Sequence, residues 1–211
     1  MTIYDMAQSP TSVSMSLRAN TAQYVSPLIG SVQTIDRGGM KWIISYTFTN
    51  VSRDKRRELM GIVARLRGQV HRLRVPVVDN PKGGGYGGTP LVNGGSQTGS
   101  TLNIDGLTNK TNWIRAGDYF SVDVNGEHEL KMCTADANSA AGAITGLQFE
   151  PRLRASPLNN AAIFVGDGGS VPVGIFYLSD PTIGWSSRPA SQISEVSSIS
   201  INMTEDVFAT Q

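Results

Sequence analysis

Residues 37–78 read RGGMKWIISYTFTNVSRDKRRELMGIVARLRGQVHRLRVPVV, and this stretch decides the fold. From Met40 to Phe48, the apolar Met40, Trp42, Ile44, Tyr46 and Phe48 alternate with Lys41, Ser45 and Thr47, with Ile43 the one exception. A period of two in aromatic and β-branched residues predicts a half-buried strand. Ser52 stands where a helix N-cap belongs, because its hydroxyl can accept from a first-turn amide. Leu59, Ile62, Val63 and Leu66 then recur at i, i+3, i+4 and i+7, one face of a short amphipathic helix. Gly68 is placed to end it in a left-handed residue. Residues 70–78 return as a strand that Pro76 marks as an edge or a terminus. The unit is strand, helix, strand.

The charge is concentrated in the same unit. Between Arg53 and Arg74 there are eight Lys or Arg against two acids, Asp54 and Glu58, in a chain that holds 18 basic and 17 acidic residues overall. A near-neutral total therefore conceals a polarised molecule. Such polarity suits an anionic partner, or a ring in which a basic face meets a neighbour's acidic one. A merely solvated helix face is the simpler alternative.

Composition bounds the rest. With 211 residues the chain can form one large β domain or two small ones. Its 23 glycines and its 17% charged residues suit many short strands joined by turns. No apolar run reaches the length of a transmembrane helix, and the first twenty residues lack the basic start and apolar core of a signal peptide. Cys133 has no disulfide partner and lies in a strand pattern, so a buried thiol in a soluble protein of a reducing compartment is expected.

Residues 1–29 read as a polar N-terminal arm, extended and loose until it meets a neighbour, although Met15 and Leu17 could begin a strand. Residues 31–36, the Arg37-Gly38-Gly39 turn and the Met40 strand read as a hairpin. A glycine-rich run after Val78 lacks phosphate-loop spacing and reads as a flexible crossover. Short strands follow at 101–105, 113–118, 119–124, 127–133, 143–149 and 161–165, with Asn125-Gly126 as a strong hairpin turn. A glycine-rich turn at 166–169 and a Ser/Pro loop at 186–190 separate two later strands, and the last, 196–207, is expected to pair back with the opening unit. Residues 30–90 with 166–211 thus form one β domain carrying helix 52–67, and residues 91–165 form an inserted small β-barrel or sandwich.

Enzymatic constellations are scarce. His71 and His128 lie in separate strand patterns without a metal-ligand partner, and the carboxylate pairs Asp118/Asp123 and Glu127/Glu129 are ordinary for turns and strand surfaces. Asp118, next to Gly117, is expected to bond turn amides. Trp42, Trp113 and Trp185 are scattered as core or interface residues would be. The expectation is a protein that is not an enzyme and needs no cofactor or metal.

Three segments carry a family resemblance: LRGQVHRLRVPVVDNPKG (66–83), GLTNKTNWIRAGDYFSV (106–122) and HELKMCTADANSAAGAITGLQFEPRLRASPLNNAAI (128–163). Together they resemble tail-tip proteins of long-tailed, siphovirus-like bacteriophages, over roughly residues 30–205. The resemblance implies a distal tail protein: a mainly β chain whose tail-tube-like β-sandwich has one packed helix and an inserted domain. It further implies a homo-oligomeric ring, commonly a hexamer, in the virion tail or baseplate. Such a ring would join the tail tube protein to tip hub or fibre proteins, after synthesis in the host cytoplasm. Within that reading Arg53, Arg56, Arg57, Arg65, Arg67, Arg72 and Arg74 are the candidate subunit-interface residues. The alternative is a module that binds host-surface glycan through Trp113 and Tyr119 on the inserted domain, in many copies. Sequence-specific nucleic-acid recognition ranks last, because one helix face is committed to the core and no recognition motif accompanies the charge.

Overall fold

The computed structural model describes residues 1–78, 80–166, 171–186 and 198–206, with only the backbone at 185–186. In chain order the elements are β1 (Ile3–Asp5), β2 (Ser12–Arg18), β3 (Thr21–Val25), β4 (Val32–Asp36), β5 (Lys41–Thr49), α1 (Arg53–Leu66) and β6 (Arg72–Pro76). Then come β7 (Gly88–Val92), β8 (Gly99–Leu107), β9 (Lys110–Ile114), β10 (Tyr119–Val124), β11 (Glu127–Cys133), β12 (Ala137–Ser139), β13 (Ile144–Leu153) and β14 (Ile163–Phe164). Last are β15 (Val173–Leu178), β16 (Trp185–Ser186) and β17 (Ser198–Glu205). The protein is mainly β, and α1 is its one helix among the described residues.

The strand–helix–strand unit forms as its periodicities dictate. On β5 Trp42, Ile44, Tyr46 and Phe48 are buried on one face, while Lys41, Ser45 and Thr47 are partly exposed on the other. The Ser52 hydroxyl caps α1 by accepting from Lys55 N. Leu59 and Leu66 are buried against the sheet, with Ile62 and Val63 packed beside them. The helix ends one residue earlier than Gly68 alone would require, because Arg67 itself is left-handed at φ 48° and Gly68 follows at φ 66°. β6 stops at Pro76, whose carbonyl takes the Tyr46 hydroxyl.

These strands belong to a sheet of order β1-β6-β15-β17-β5-β2, with β16 paired to β17. The final strand pairs back with β5, Ile201 opposite Tyr46, as the sequence predicts; the ends of the expected strand, and most of the turn at 166–169 and the loop at 186–190, lie outside the described residues. The face opposite α1 is a field of small polar groups, with Ser45 donating to Asn202 Oδ1 at 2.7 Å and Ser179 and Thr204 hydroxyls 2.8 Å apart.

Two expectations about the N-terminal third are corrected. Residues 1–29 are not one loose arm. β1 lies parallel to β6, Met6 is buried, and β2 runs beside β5 with Val13, Met15 and Leu17 against the core. Nor does the segment at 31–36 fold back on the Met40 strand. Both edges of β5 are already taken, by β2 and β17, so β4 pairs with β3, from Thr21↔Asp36 to Val25↔Val32. The β3–β4 ribbon extends the β2–β5 pair beyond the sheet, joined through Arg37 N to Asn20 O at 2.9 Å.

Six of the strands from β7 to β14 form a separate sheet of order β14-β10-β11-β13-β8-β7, and the other two, β9 and β12, pair with each other. The ends of the six-stranded sheet meet: Leu91 bridges Ala162, Val92 N donates to Ala161 O at 3.0 Å, and Asn160 N donates to Val92 O at 2.8 Å. The result is a nearly closed barrel filled by Val92, Leu102, Ile104, Phe120, Val122, Leu147 and Phe149, among others. Asn125 and Gly126 both take positive φ in the β10–β11 turn, as an Asn-Gly hairpin requires. β11 lays Leu130 against the core of the first sheet.

The glycine-rich crossover is not a flexible linker but a strap bound to this barrel. Gly83 N and Gly84 N donate to the two Asp118 carboxylate oxygens at 2.6 and 2.8 Å, and Arg115 N adds a third bond at 2.9 Å. A Cβ on Gly84 would stand 2.4 Å from Trp113 O, so only glycine permits this approach.

Candidate assembly surfaces

Helix α1 presents its charge outward because its apolar face is fixed inward. Arg53, Lys55, Arg57, Arg65 and Arg67 are exposed and Arg56 is half-buried. No described carboxylate lies within ion-pair distance of any of them, and Glu58 is instead engaged by the Gln8 side-chain amide. The like charges along this face repel one another.

The remaining two candidates have other employment. Arg72 pairs with Asp206 and lies 5.4 Å from the centre of the Tyr177 ring, and Arg74 pairs with Asp5 at 3.2 Å. Arg74 thus ties β6 to its neighbour β1 within the sheet, and Arg72 ties β6 to the residue just beyond β17. Of the seven candidates, Arg53, Arg56, Arg57, Arg65 and Arg67 have no ion-pair partner among the described residues.

Sequence reasoning missed the second surface. The β3–β4 ribbon is exposed along its whole length; Ala22 alone in its strands is partly covered. Residues 19–35 contain no charge, yet Tyr24, Val25, Val32 and Ile35 stand in solvent, and at the tip Leu28 and Ile29 are 92% and 80% exposed. An isolated two-stranded ribbon is marginal in water, and a cluster of exposed apolar groups marks an interaction site. The signal available was an uncharged seventeen-residue stretch around Pro27-Leu28-Ile29-Gly30. At the ribbon's root a groove of about 910 Å³ opens over the polar sheet face, flanked by Arg18, Lys41, Tyr177, Asn202 and Thr204.

The barrel offers no aromatic platform at the positions expected. Trp113 is fully buried, stacks edge-on with Tyr86 and donates its indole N–H to Gly87 O at 2.9 Å. Tyr119 is half-buried with its ring against Trp42, 5.5 Å between centres. The Trp113 ring is thus enclosed in the barrel core, while the Tyr119 ring is only partly covered.

Other chemistry-bearing groups are similarly engaged. Asp118 holds the strap, and Asp123 Oδ1 accepts from Gly126 N at 2.7 Å in the hairpin turn. His71 Nδ1 accepts from Thr2 N at 3.2 Å. His128 stacks edge-on with Phe164, and its Nδ1 is buried without a hydrogen-bond partner; burial lowers its pKa, as does Arg74 nearby. Burial raises the Cys133 thiol to about 11. No cluster of His, Cys, Asp or Glu with metal-binding geometry occurs among the described residues, and no described helix is long and apolar enough to cross a membrane.

A buried ionic network joins the two sheets, and it too was not foreseen. Arg154, just beyond β13, donates from Nη1 and Nη2 to the two Glu205 oxygens at 2.9 and 2.6 Å. Glu205 Oε2 also accepts from Trp42 N at 3.0 Å, while Arg154 Nη2 reaches Met40 O at 3.3 Å. Lys131, fully buried, pairs with Glu129 at 2.7 Å and donates to Arg152 O at 3.0 Å. Burial lowers the Lys131 pKa against the opposing pull of Glu129.

Compared with known proteins, the chain matches no family model, and no curated protein matches it at significant similarity.

Proposed function

We propose that this chain is a structural virion protein that assembles into a ring at the distal end of a phage tail, joining the tail tube to tip hub or fibre proteins. The sequence resemblance motivates the setting. The observation that carries the assembly reading is the β3–β4 ribbon, a projecting arm whose Leu28, Ile29, Tyr24 and Val32 have no covering layer in the single chain. Apolar side chains at this density are stabilised when a second surface removes them from water, at about 25 cal/mol per Å² buried. A ring supplies such a surface once per subunit and leaves no arm uncovered.

Two further features support the reading. β2 ends the sheet order, so one edge of its seven residues has no strand partner among the described residues, and pairing between subunits would remove that edge. The unpaired arginines of α1 suit an acidic neighbour.

The test is the mass of the purified full chain by light scattering, with negative-stain images of the same sample. A closed assembly of about six copies with an open lumen is expected. Arg56→Glu with Arg57→Glu should abolish it while circular dichroism remains that of the parent. Normal rings from this variant would remove α1 from the interface.

A further inference from the structure

Residues 38–42 join the arm to the first sheet, and the barrel grips them at four places. Gly38 is buried beneath Arg152, so closely that a Cβ there would stand 2.0 Å from Arg152 Nη2. Met40 O accepts from Arg154 Nη2. Trp42 donates its indole N–H to Leu130 O at 3.2 Å, and its ring meets Tyr119. Arg152, Arg154, Leu130 and Tyr119 all come from the inserted barrel or its exit.

The grip completes a ladder that the strands leave unfinished. β17 pairs with β5 only as far as Thr204↔Ile43. Beyond that register the Trp42 N–H is taken by the Glu205 side chain, and Met40 O by Arg154, which itself holds Glu205 with two bonds. A buried bidentate pair of this kind is directional as well as strong. Meanwhile Gly38 and Gly39 have φ of 67° and 73°, a backbone region in which glycine alone is unstrained. The arm therefore leaves the sheet through a permissive hinge, on which the arm's own hold is Asp36 Oδ1, accepting from Gly38 N at 2.8 Å.

We propose that the inserted barrel is the brace that sets the direction of the arm, with Arg152 pressing on the hinge and Arg154 locking the first residues of β5 through Glu205. Arg152 and Arg154 are positioning residues. This gives the barrel a role that requires no ligand of its own: it orients the surface through which, under the assembly reading above, one subunit meets the next. The brace rests on that reading for its purpose but not for its existence, since every contact lies within one chain.

The test measures arm orientation in the full chain. Spin labels at Gln33→Cys on the arm and Thr145→Cys on the barrel, with Cys133 replaced by Ala, are diluted into unlabelled protein so that only distances within one chain are read by pulsed electron resonance. The parent should give one narrow distance distribution. Arg152→Ala, an exposed position where folding is not at stake, should broaden it, and Arg154→Gln should broaden it further. Broadening in either variant supports the brace, and a parent-like width in every variant that folds overturns it; if Arg154→Gln fails to fold, Arg152→Ala decides. A narrow parent distribution in a chain that never assembles would sink the ring reading and leave the brace standing.

Discussion

The barrel and the arm are both built from antiparallel strands, and they solve opposite problems. Six strands of the barrel close until β7 meets β14, and the side chains of one face fill the interior. Two strands of the arm pair only with each other, and neither face is covered. What separates them is the number of strands available to bury a face, since apolar residues are present in both. A barrel is stable by itself, whereas a ribbon acquires its partner from elsewhere. The barrel thus covers its own apolar side chains, and the arm leaves its own in solvent.

The largest loss of stability is expected in the barrel. Trp113→Ala should destabilise the chain by about 3–5 kcal/mol, because it empties a fully buried site and removes one of the two donors to Gly87 O, the other being Thr108 N. Denaturant unfolding reads this directly, and a loss no larger than that of a surface change would contradict the burial. Glu205→Gln should cost a comparable amount, about 3 kcal/mol, by leaving the Arg154 guanidinium buried without its counter-charge. Replacing both partners with apolar residues should recover much of that loss.

A smaller effect sharpens the contrast at the β10–β11 turn, where the barrel faces the first sheet. His128 lies among Arg74 of β6, Asp123 of β10 and Phe164 of β14, with Glu127 beside it. Its pKa is lowered, so as pH falls through the ordinary histidine value near 6.5 the unfolded chain takes up a proton that the folded chain resists. Stability is therefore lost on acidification between that value and the lowered one. Glu127 has a raised pKa, caused first by burial, and works in the opposite sense: the folded chain holds its proton to higher pH, so its ionisation cost is relieved on acidification. His128→Gln should remove the histidine contribution and leave the Glu127 slope, as thermal unfolding followed across pH 4–8 would reveal. An unchanged pH profile in that variant would contradict the burial of the imidazole.

The sequence made β5, α1 and β6 legible because each buries one face and so displays a clean period. Asn125-Gly126 was legible because its turn geometry is local. The arm was not, since a period of two in residues 31–36 is the same whichever strand lies alongside; the choice was made by β2 and β17 competing for the edges of β5. Nor did the glycine strap announce itself, because its binding group, Asp118, lies 34 and 35 residues away from the amides it holds. For the ionic network one clue existed. Ile199, Ile201 and Met203 point inward, and Glu205 is next in that phase, so an acid in a buried register asked for a buried cation. Its partner Arg154 is 51 positions away, beyond the reach of any local pattern. Of the candidate site, the exposed arginines of α1 followed from the helix phase, whereas Trp113 was ambiguous, since an aromatic residue serves a core as readily as a platform.

Whether the arm is covered by another surface in the assembly is decided by Leu28→Asp with Ile29→Asp. Both side chains are already in solvent in the single chain, so its unfolding free energy should change by no more than about 0.5 kcal/mol. Light scattering at matched concentration should find the parent assembled and the variant monomeric. A variant that assembles as the parent does would contradict the account, because the arm's apolar tip would then have no part in bringing chains together.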